Sequence, residues 1–277
     1  MSMRVATNTS AINAMRTLTT NNNAINKSYE RLSSGSRINK AADDAAGLAI
    51  SESMRAQIRS ANQAKRNAND GISLVQTAEG GLSEIGNIIV RLRELGIQAA
   101  SDTVGTDERS FINSEVQQLK EEMQRISETT KWGTTKLLDG STPVFDFQVG
   151  VFNDDFADRI SFDSSGNVAT VDALGLSALD FSDKVGAQEA LSQLDDAQTG
   201  VNRIRANLGA LQNRLTNTTS NLGGMVENLS AAKSRISDAD IAEVTADLTK
   251  NQILMQASTA TLAQANQKNQ LALQLLG

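Results

Sequence analysis

Residues 54–92 read MRAQIRSANQAKRNANDGISLVQTAEGGLSEIGNIIVRL. Met54, Ile58, Ala61, Ala68, Ile72, Val75, Leu82, Ile85, Ile89 and Leu92 recur mostly at steps of three and four, with Lys65 and Ala78–Glu79 filling the gaps. A strand changes face at every residue, whereas a helix returns to one face about every 3.6 residues. The spacing therefore predicts one long helix carrying a coiled-coil seam of about six heptads. Pro143 is the only proline in the chain, so the usual helix stop is missing almost everywhere.

The same seam returns through Leu194, Val201, Ile204, Leu208, Leu211, Leu215, Leu222, Val226, Leu229 and Ile236. A single helix from residue 187 to 236 would be about 75 Å long, too long to fold around a small round core. A shorter helix is expected between the two, with Ile112, Val116, Leu119, Met123 and Ile126 as its seam. Gly105 precedes it, Asp107 and Glu108 favour its first turn, and Gly133 is placed to end it. The expected class is mainly α: an elongated antiparallel helical bundle or coiled coil. Aromatic residues at 3% of the 277 agree with thin layers of Leu, Ile, Val and Ala.

Composition narrows the chemistry. With no Cys and no His, the chain has no disulfide, thiol nucleophile, imidazole base or ordinary zinc site. A net charge of −6 argues against nucleic acid as a partner. No run of about 18 apolar residues is present to span a membrane as a helix. Residues 1–8 lack the apolar core of a cleaved signal peptide. On these facts alone the expected location is cytosolic.

The middle and the two ends differ from the seams. Six of the seven Phe residues lie between 145 and 181. Phe145, Phe147, Val149 and Val151 alternate with polar or small residues, Asn153-Asp154-Asp155 offers a turn, and Ile160 and Phe162 alternate again. Residues 141–180 therefore read as a small β-hairpin region capping the bundle. From Asn251 to Gly277 the only charged residue is Lys268, and residues 5–29 are similarly rich in Asn, Thr and Ser. Both ends keep a helical period without the charged outer face that solvates a surface helix. They suit burial against other chains.

Candidate sites are few. Asp43-Asp44, Asp154-Asp155 and Asp195-Asp196 are acidic pairs, read as a helix start, a turn and a solvated helix face. Gly80-Gly81 and Gly223-Gly224 fall inside helical seams and match no phosphate loop, so close packing or local bends explain them. Asn8, Asn26 and Asn217 begin N-glycosylation patterns inside expected helices and are assigned no role. Ser237–Asp240 has the form of a capping box opening the last helix. No enzyme site and no cofactor or metal site is expected.

Several stretches together closely resemble bacterial flagellin. They are LSSGSRIN at 32–39, ADDAAGLAIS at 42–51, NANDGIS at 67–73, RLREL at 91–95, DADIAE at 238–243 and the tail LQLL at 273–276. The resemblance covers roughly residues 1–140 and 184–277. It implies a structural protein that polymerises into the flagellar filament for swimming. Residues 1–40 plus 238–277 would form paired helices of the filament core, with Val5, Ile12, Leu18, Ile25, Leu248, Leu262, Leu273 and Leu276 as assembly residues. Residues 41–140 plus 181–237 would form the helical rod, and 141–180 its hairpin cap. The resemblance implies unfolded export by the flagellar type III apparatus to an extracellular location, which replaces the cytosolic expectation. It implies further copies of the chain as partners, with an export chaperone and the filament cap and hook-junction proteins. It also implies binding of the free monomer by Toll-like receptor 5 through Arg91, Leu95 and Glu115. Arg91 and Leu95 are expected to share a face beside the seam, with Glu115 flanking them from an antiparallel neighbour. The alternatives are a flagellin-like hook–filament junction protein and a cytosolic coiled-coil scaffold.

Overall fold

The computed structural model describes residues 7–141 and 144–274, with side chains as far as Gln267. Its elements run α1 (Thr9–Ser34), α2 (Ala45–Ala99), α3 (Thr106–Thr129), β1 (Lys131–Trp132), β2 (Thr135–Lys136), β3 (Val144–Gln148), β4 (Arg159–Asp163), α4 (Lys184–Ser237) and α5 (Ile241–Gln274). The fold is mainly α, with two small antiparallel hairpins among the described residues. The chain packs as two compact units. One is Ile58–Glu227, and the other joins the residues up to Gln57 to those from Asn228 onward.

In the Ile58–Glu227 unit, α2 and α4 are antiparallel. Their partners climb one helix while descending the other, from Asp102–Lys184 through Arg93–Asp195 to Glu79–Arg205. Helix α3 also runs back along α2: the Arg109 Nε donates to the Ala99 carbonyl at 2.8 Å, and Arg91 meets Glu115. Farther along, Gly81 lies so close to Thr130 and Leu138 that a Cβ there would collide with them. Leu82, Ile85, Ile89, Leu92, Val116, Met123, Leu194, Leu208 and Leu215 fill the space between the three helices. The expected seams form the core over Ala68–Leu92, Ile112–Ile126 and Leu194–Leu215, joined by Leu74, Ala78 and Ala99, whereas Met54, Ile58, Val226, Leu229 and Ile236 at their far ends are only partly buried. Gly80, Gly223 and Gly224 have open space where a side chain would go, so close approach explains Gly81 alone of the four.

Gly133 does not end α3. Thr130 is the C-cap, and Gly133 (φ +60°) opens the two-residue turn between β1 and β2. That turn needs a positive φ at its first central position, which glycine takes without a Cβ clash. Sequence periodicity does not mark this hairpin, because two-residue strands carry no period.

The second hairpin pairs Val144 with Asp163 through Gln148 with Arg159. Phe145 and Phe162 stack with centroids 6.1 Å apart, and Phe147 lies over Gly71. The Asn67 Nδ2 donates to the Gln148 carbonyl at 2.9 Å, and Val151 packs with Ala61, Ala64 and Leu222. These contacts set the hairpin against the sides of α2 and α4. The following segment is strapped along α3 by polar side chains. Asn113 and Gln124 accept from the amides of Phe181 and Val171, while Gln117 and Lys120 donate to the Leu179 carbonyl. Partial burial at this strap lowers Lys120 below its ordinary value. Beneath the strap, Leu176, Leu179 and Phe181 are buried.

Candidate functional site

Helices α1 and α5 pair antiparallel. The Asn8 Nδ2 donates to the Ala265 carbonyl at 3.1 Å, Asn21 Nδ2 to Ser258 Oγ at 3.2 Å, and Gln252 Nε2 to the Tyr29 hydroxyl at 3.3 Å. The inward residues of α1 are Ala11, Ala14, Leu18, Asn21, Ile25, Ser28 and Leu32, all buried or partly so. Those of α5 are Val244, Leu248, Asn251, Met255, Ser258, Leu262 and Ala265. Both sets step alternately by three and four, which makes a two-stranded seam. Among the described residues of the pair, Ala14, Ile25 and Val244 are the buried apolar ones.

The expected assembly residues divide accordingly. Leu18, Ile25, Leu248 and Leu262 face the partner helix, whereas Ile12 points outward at 58% exposure. Met15, Tyr29, Ile241, Ile253 and Leu254 are also exposed. The pair therefore carries an outer apolar set separate from its seam. Ile12 lies one step off the three–four repeat of the inward residues, so among the expected assembly residues it is on the outer face. Val5 and Leu276 lie outside the described residues, as does the side chain of Leu273.

Caps and ion pairs hold the connections of this unit. Asn8 caps α1, its Oδ1 accepting from the Ala11 amide at 3.0 Å, so it precedes the helix instead of lying in it. Gly35 ends α1 at φ +67°, a conformation that favours glycine. Ser36 and Asp238 then bridge, with Arg37 N donating to the Ser237 carbonyl at 2.7 Å and Ala239 N to the Gly35 carbonyl at 2.9 Å. Asp44 caps α2 through the Gly47 amide. Asp43 instead pairs with Lys27, whose hydrogen bond, with those of the Asn39 and Lys40 amides, lowers its carboxyl to about 2. The last helix starts later than the capping-box reading placed it. Asp240 is its cap, accepting from the Ala242 and Glu243 amides, while Ser237 ends α4.

Arg91 and Glu115 meet as expected across α2 and α3. Arg91 Nη2 and Nε reach Glu115 Oε1 at 2.8 and 3.1 Å, and Nη1 reaches Glu94 at 3.1 Å. These carboxylates, Glu115 foremost, raise Arg91 above its ordinary value. Leu95 does not join them: it is 2% exposed and belongs to the core. The expectation of a shared outward face overlooked that α2 packs against both α3 and α4. Its apolar face is wider than a two-helix seam and takes in Leu95 with Leu92 and Ala99.

Among the described residues, the acidic pairs lie in caps, turns and ion pairs. A shallow cleft beside β4, lined by Ser161, Asp163, Asn167, Asn207 and Arg214, opens to solvent. Asp195 pairs with Arg93, and Asp154 accepts from the Phe156 and Ala157 amides.

The bacterial flagellin N-terminal helical region matches residues 5–142, and the bacterial flagellin C-terminal helical region matches residues 191–276. The chain belongs to the bacterial flagellin family. It is 47% identical to a flagellin of Halalkalibacterium halodurans, over 97% of this chain and 98% of that one. It is 43% identical to a flagellin of Bacillus subtilis, over 99% and 100%. It is also 43% identical to the flagellar filament 33 kDa core protein of Treponema phagedenis, over 97% and 98%. Among solved structures, the crystal structure of Bacillus cereus flagellin superposes with a TM-score of 0.51 at 26% identity, covering 61% of this chain and 94% of that one.

Proposed function

We propose that this flagellin is a structural subunit that polymerises into the bacterial flagellar filament and so serves swimming. The observation that carries the reading is family membership over both helical ends, with relatives matched along nearly their whole length. The α1–α5 pair supplies the physical means. Its outward Ile12, Met15, Ile241 and Ile253 gain burial only from neighbouring copies. In this reading residues 1–40 plus 238–277 form the inner filament layer, 41–140 plus 181–237 the rod, and 141–180 its hairpin. The filament is extracellular. A chain without cysteine passes an export conduit unfolded, and helices with mostly local contacts refold quickly at the tip.

The reading is tested by seeded polymerisation, followed by sedimentation and electron microscopy. The full chain forms long filaments, and a chain lacking 1–40 and 238–277 stays folded, helical and soluble. Filaments from the truncated chain would overturn the reading, and a short ring in place of a filament would favour the junction protein.

Partners follow from the same surfaces. An export chaperone takes the apolar tail as helices in its own groove, so a chain ending at Asp240 loses that binding. The filament cap and hook-junction proteins contact the growing and basal ends. Toll-like receptor 5 binds the free monomer at Arg91 and Glu115, with buried Leu95 supporting α2 from beneath. Arg91→Ala with Glu115→Ala should weaken monomer binding to the receptor ectodomain; equal affinities would remove this partner.

A further inference from the structure

Phe156 is 96% exposed, the most of any large apolar residue among those described. It stands in the loop between β3 and β4, and that loop is tightly tied. Asp154 Oδ1 accepts from the Phe156 and Ala157 amides at 2.9 and 2.8 Å. The buried Asp158 accepts from the Asp154 amide at 3.1 Å, and its own amide donates to the Asp154 carbonyl at 3.0 Å. Arg159 closes the loop from the side by reaching Asn153 and Asp155. A fixed backbone therefore holds an aromatic ring in water, where its own chain leaves it uncovered.

The far half of β4 borders the open cleft. Its floor is apolar, made by the buried Phe162 and Leu211 with Ala210, and its volume of about 290 Å³ leaves room for one phenyl ring. On its rim, Arg214 makes no ion pair and no side-chain hydrogen bond among the described residues. Gln148 pairs with Arg159 beside the loop, and Val144 pairs with Asp163 at the opposite end of the hairpin. Paired, extended strand thus lies between ring and cleft, and Phe156 cannot fold back into its own. Bringing a ring to such a floor removes apolar area from water on both sides. A guanidinium beside the ring face adds attraction, and a loop already ordered loses little entropy on docking.

We propose that Phe156 of one copy inserts into this cleft on a second copy, over Phe162 and Leu211 and beside Arg214. The occupant is a second copy because the chain carries both halves of the contact, and each copy offers one ring and one cleft. Head-to-tail contact between two different patches extends without limit when its rotation does not close. Assembly of the family into filaments requires contacts of that kind. The proposal rests on the filament reading and assigns it one side-chain contact away from the α1–α5 pair.

The test uses the full chain in seeded polymerisation. Phe156 is replaced by p-benzoylphenylalanine, isotope-labelled and unlabelled copies are mixed, and the irradiated filaments are digested and mapped by mass spectrometry. Cross-links should join position 156 to residues 161–167 or 207–214 of a different copy. Filaments that cross-link elsewhere, within one copy or not at all overturn the contact. In parallel, Phe156→Ser and Ala210→Glu, both at exposed positions, should each raise the critical concentration for elongation about tenfold. The thermal melt of the free chain should not move with either substitution. An unchanged critical concentration for Phe156→Ser also overturns the contact, whatever the other variants do. Absence of filaments from the unaltered chain would overturn the filament reading and this contact with it, whereas filaments without the 156–cleft cross-link overturn the contact alone.

Discussion

The Ile58–Glu227 unit and the α1–α5 pair use the same three–four spacing with different side chains. The first places Leu82, Ile85, Leu92, Met123, Leu194 and Leu215 in full burial between three helices. The second places Ala14, Asn21, Ile25 and Ser28 in a seam between two and leaves Ile12, Met15 and Ile253 outside. Spacing sets that helices pair, while side-chain volume and the number of neighbours set how strongly. Burial contributes in proportion to the apolar area removed from water, so the first unit gains more from its own packing than the second.

The contrast breaks first at the outer apolar set. Ile12→Asp with Ile253→Asp should abolish seeded polymerisation, while the melting of the free chain moves by no more than about 0.5 kcal/mol. Parallel losses of assembly and free-chain stability would mean that both regions belong to one core. Next comes the core itself. Leu82→Ala should destabilise the free chain by about 2–5 kcal/mol in denaturant titration, because the packed helices cannot collapse into the cavity. Ile25→Ala should cost the free chain clearly less, with its main effect on polymer yield.

The neighbouring glycines sharpen the comparison within one helix. Gly81→Ala sets a Cβ against Thr130 and Leu138 and should lower stability by about 1–3 kcal/mol. Gly80→Ala meets open space and should raise it by up to about 1 kcal/mol, since alanine is the better helix former. Thermal melts of the two variants should therefore shift in opposite directions.

The smallest effect lies at Asp43. The hydrogen bonds from Lys27 and two backbone amides favour its charged form and lower the folded carboxyl to about 2, below its ordinary 3.8. A lowered folded value stabilises above the unfolded one, and that contribution is lost as pH falls from 3.8 toward 2. Asp43→Asn should remove this part of the acid sensitivity in a pH-dependent melt; an unchanged acid slope would mean that the pair with Lys27 does not persist in solution.

Much of the molecule was legible in one dimension. The repeats through Val75–Leu92 and Leu194–Leu222 specified long helices, because a helical period survives over many turns and Pro143 alone interrupts the chain. Alternation at Phe145–Val149 and Ile160–Phe162 marked the second hairpin, because a strand's period of two shows even in five residues. The first hairpin at Lys131–Lys136 left no such trace, and the cap of α5 at Asp240 competed with an equally good capping box from Ser237. Tertiary structure alone decided what each periodic face meets. Leu95 became core because α2 has two neighbours, Ile12 became surface because α1 has one, and Asn21 became a paired polar layer because Ser258 lies level with it. Periodicity names a face by its angle around one helix, and burial depends on how many other helices that angle finds.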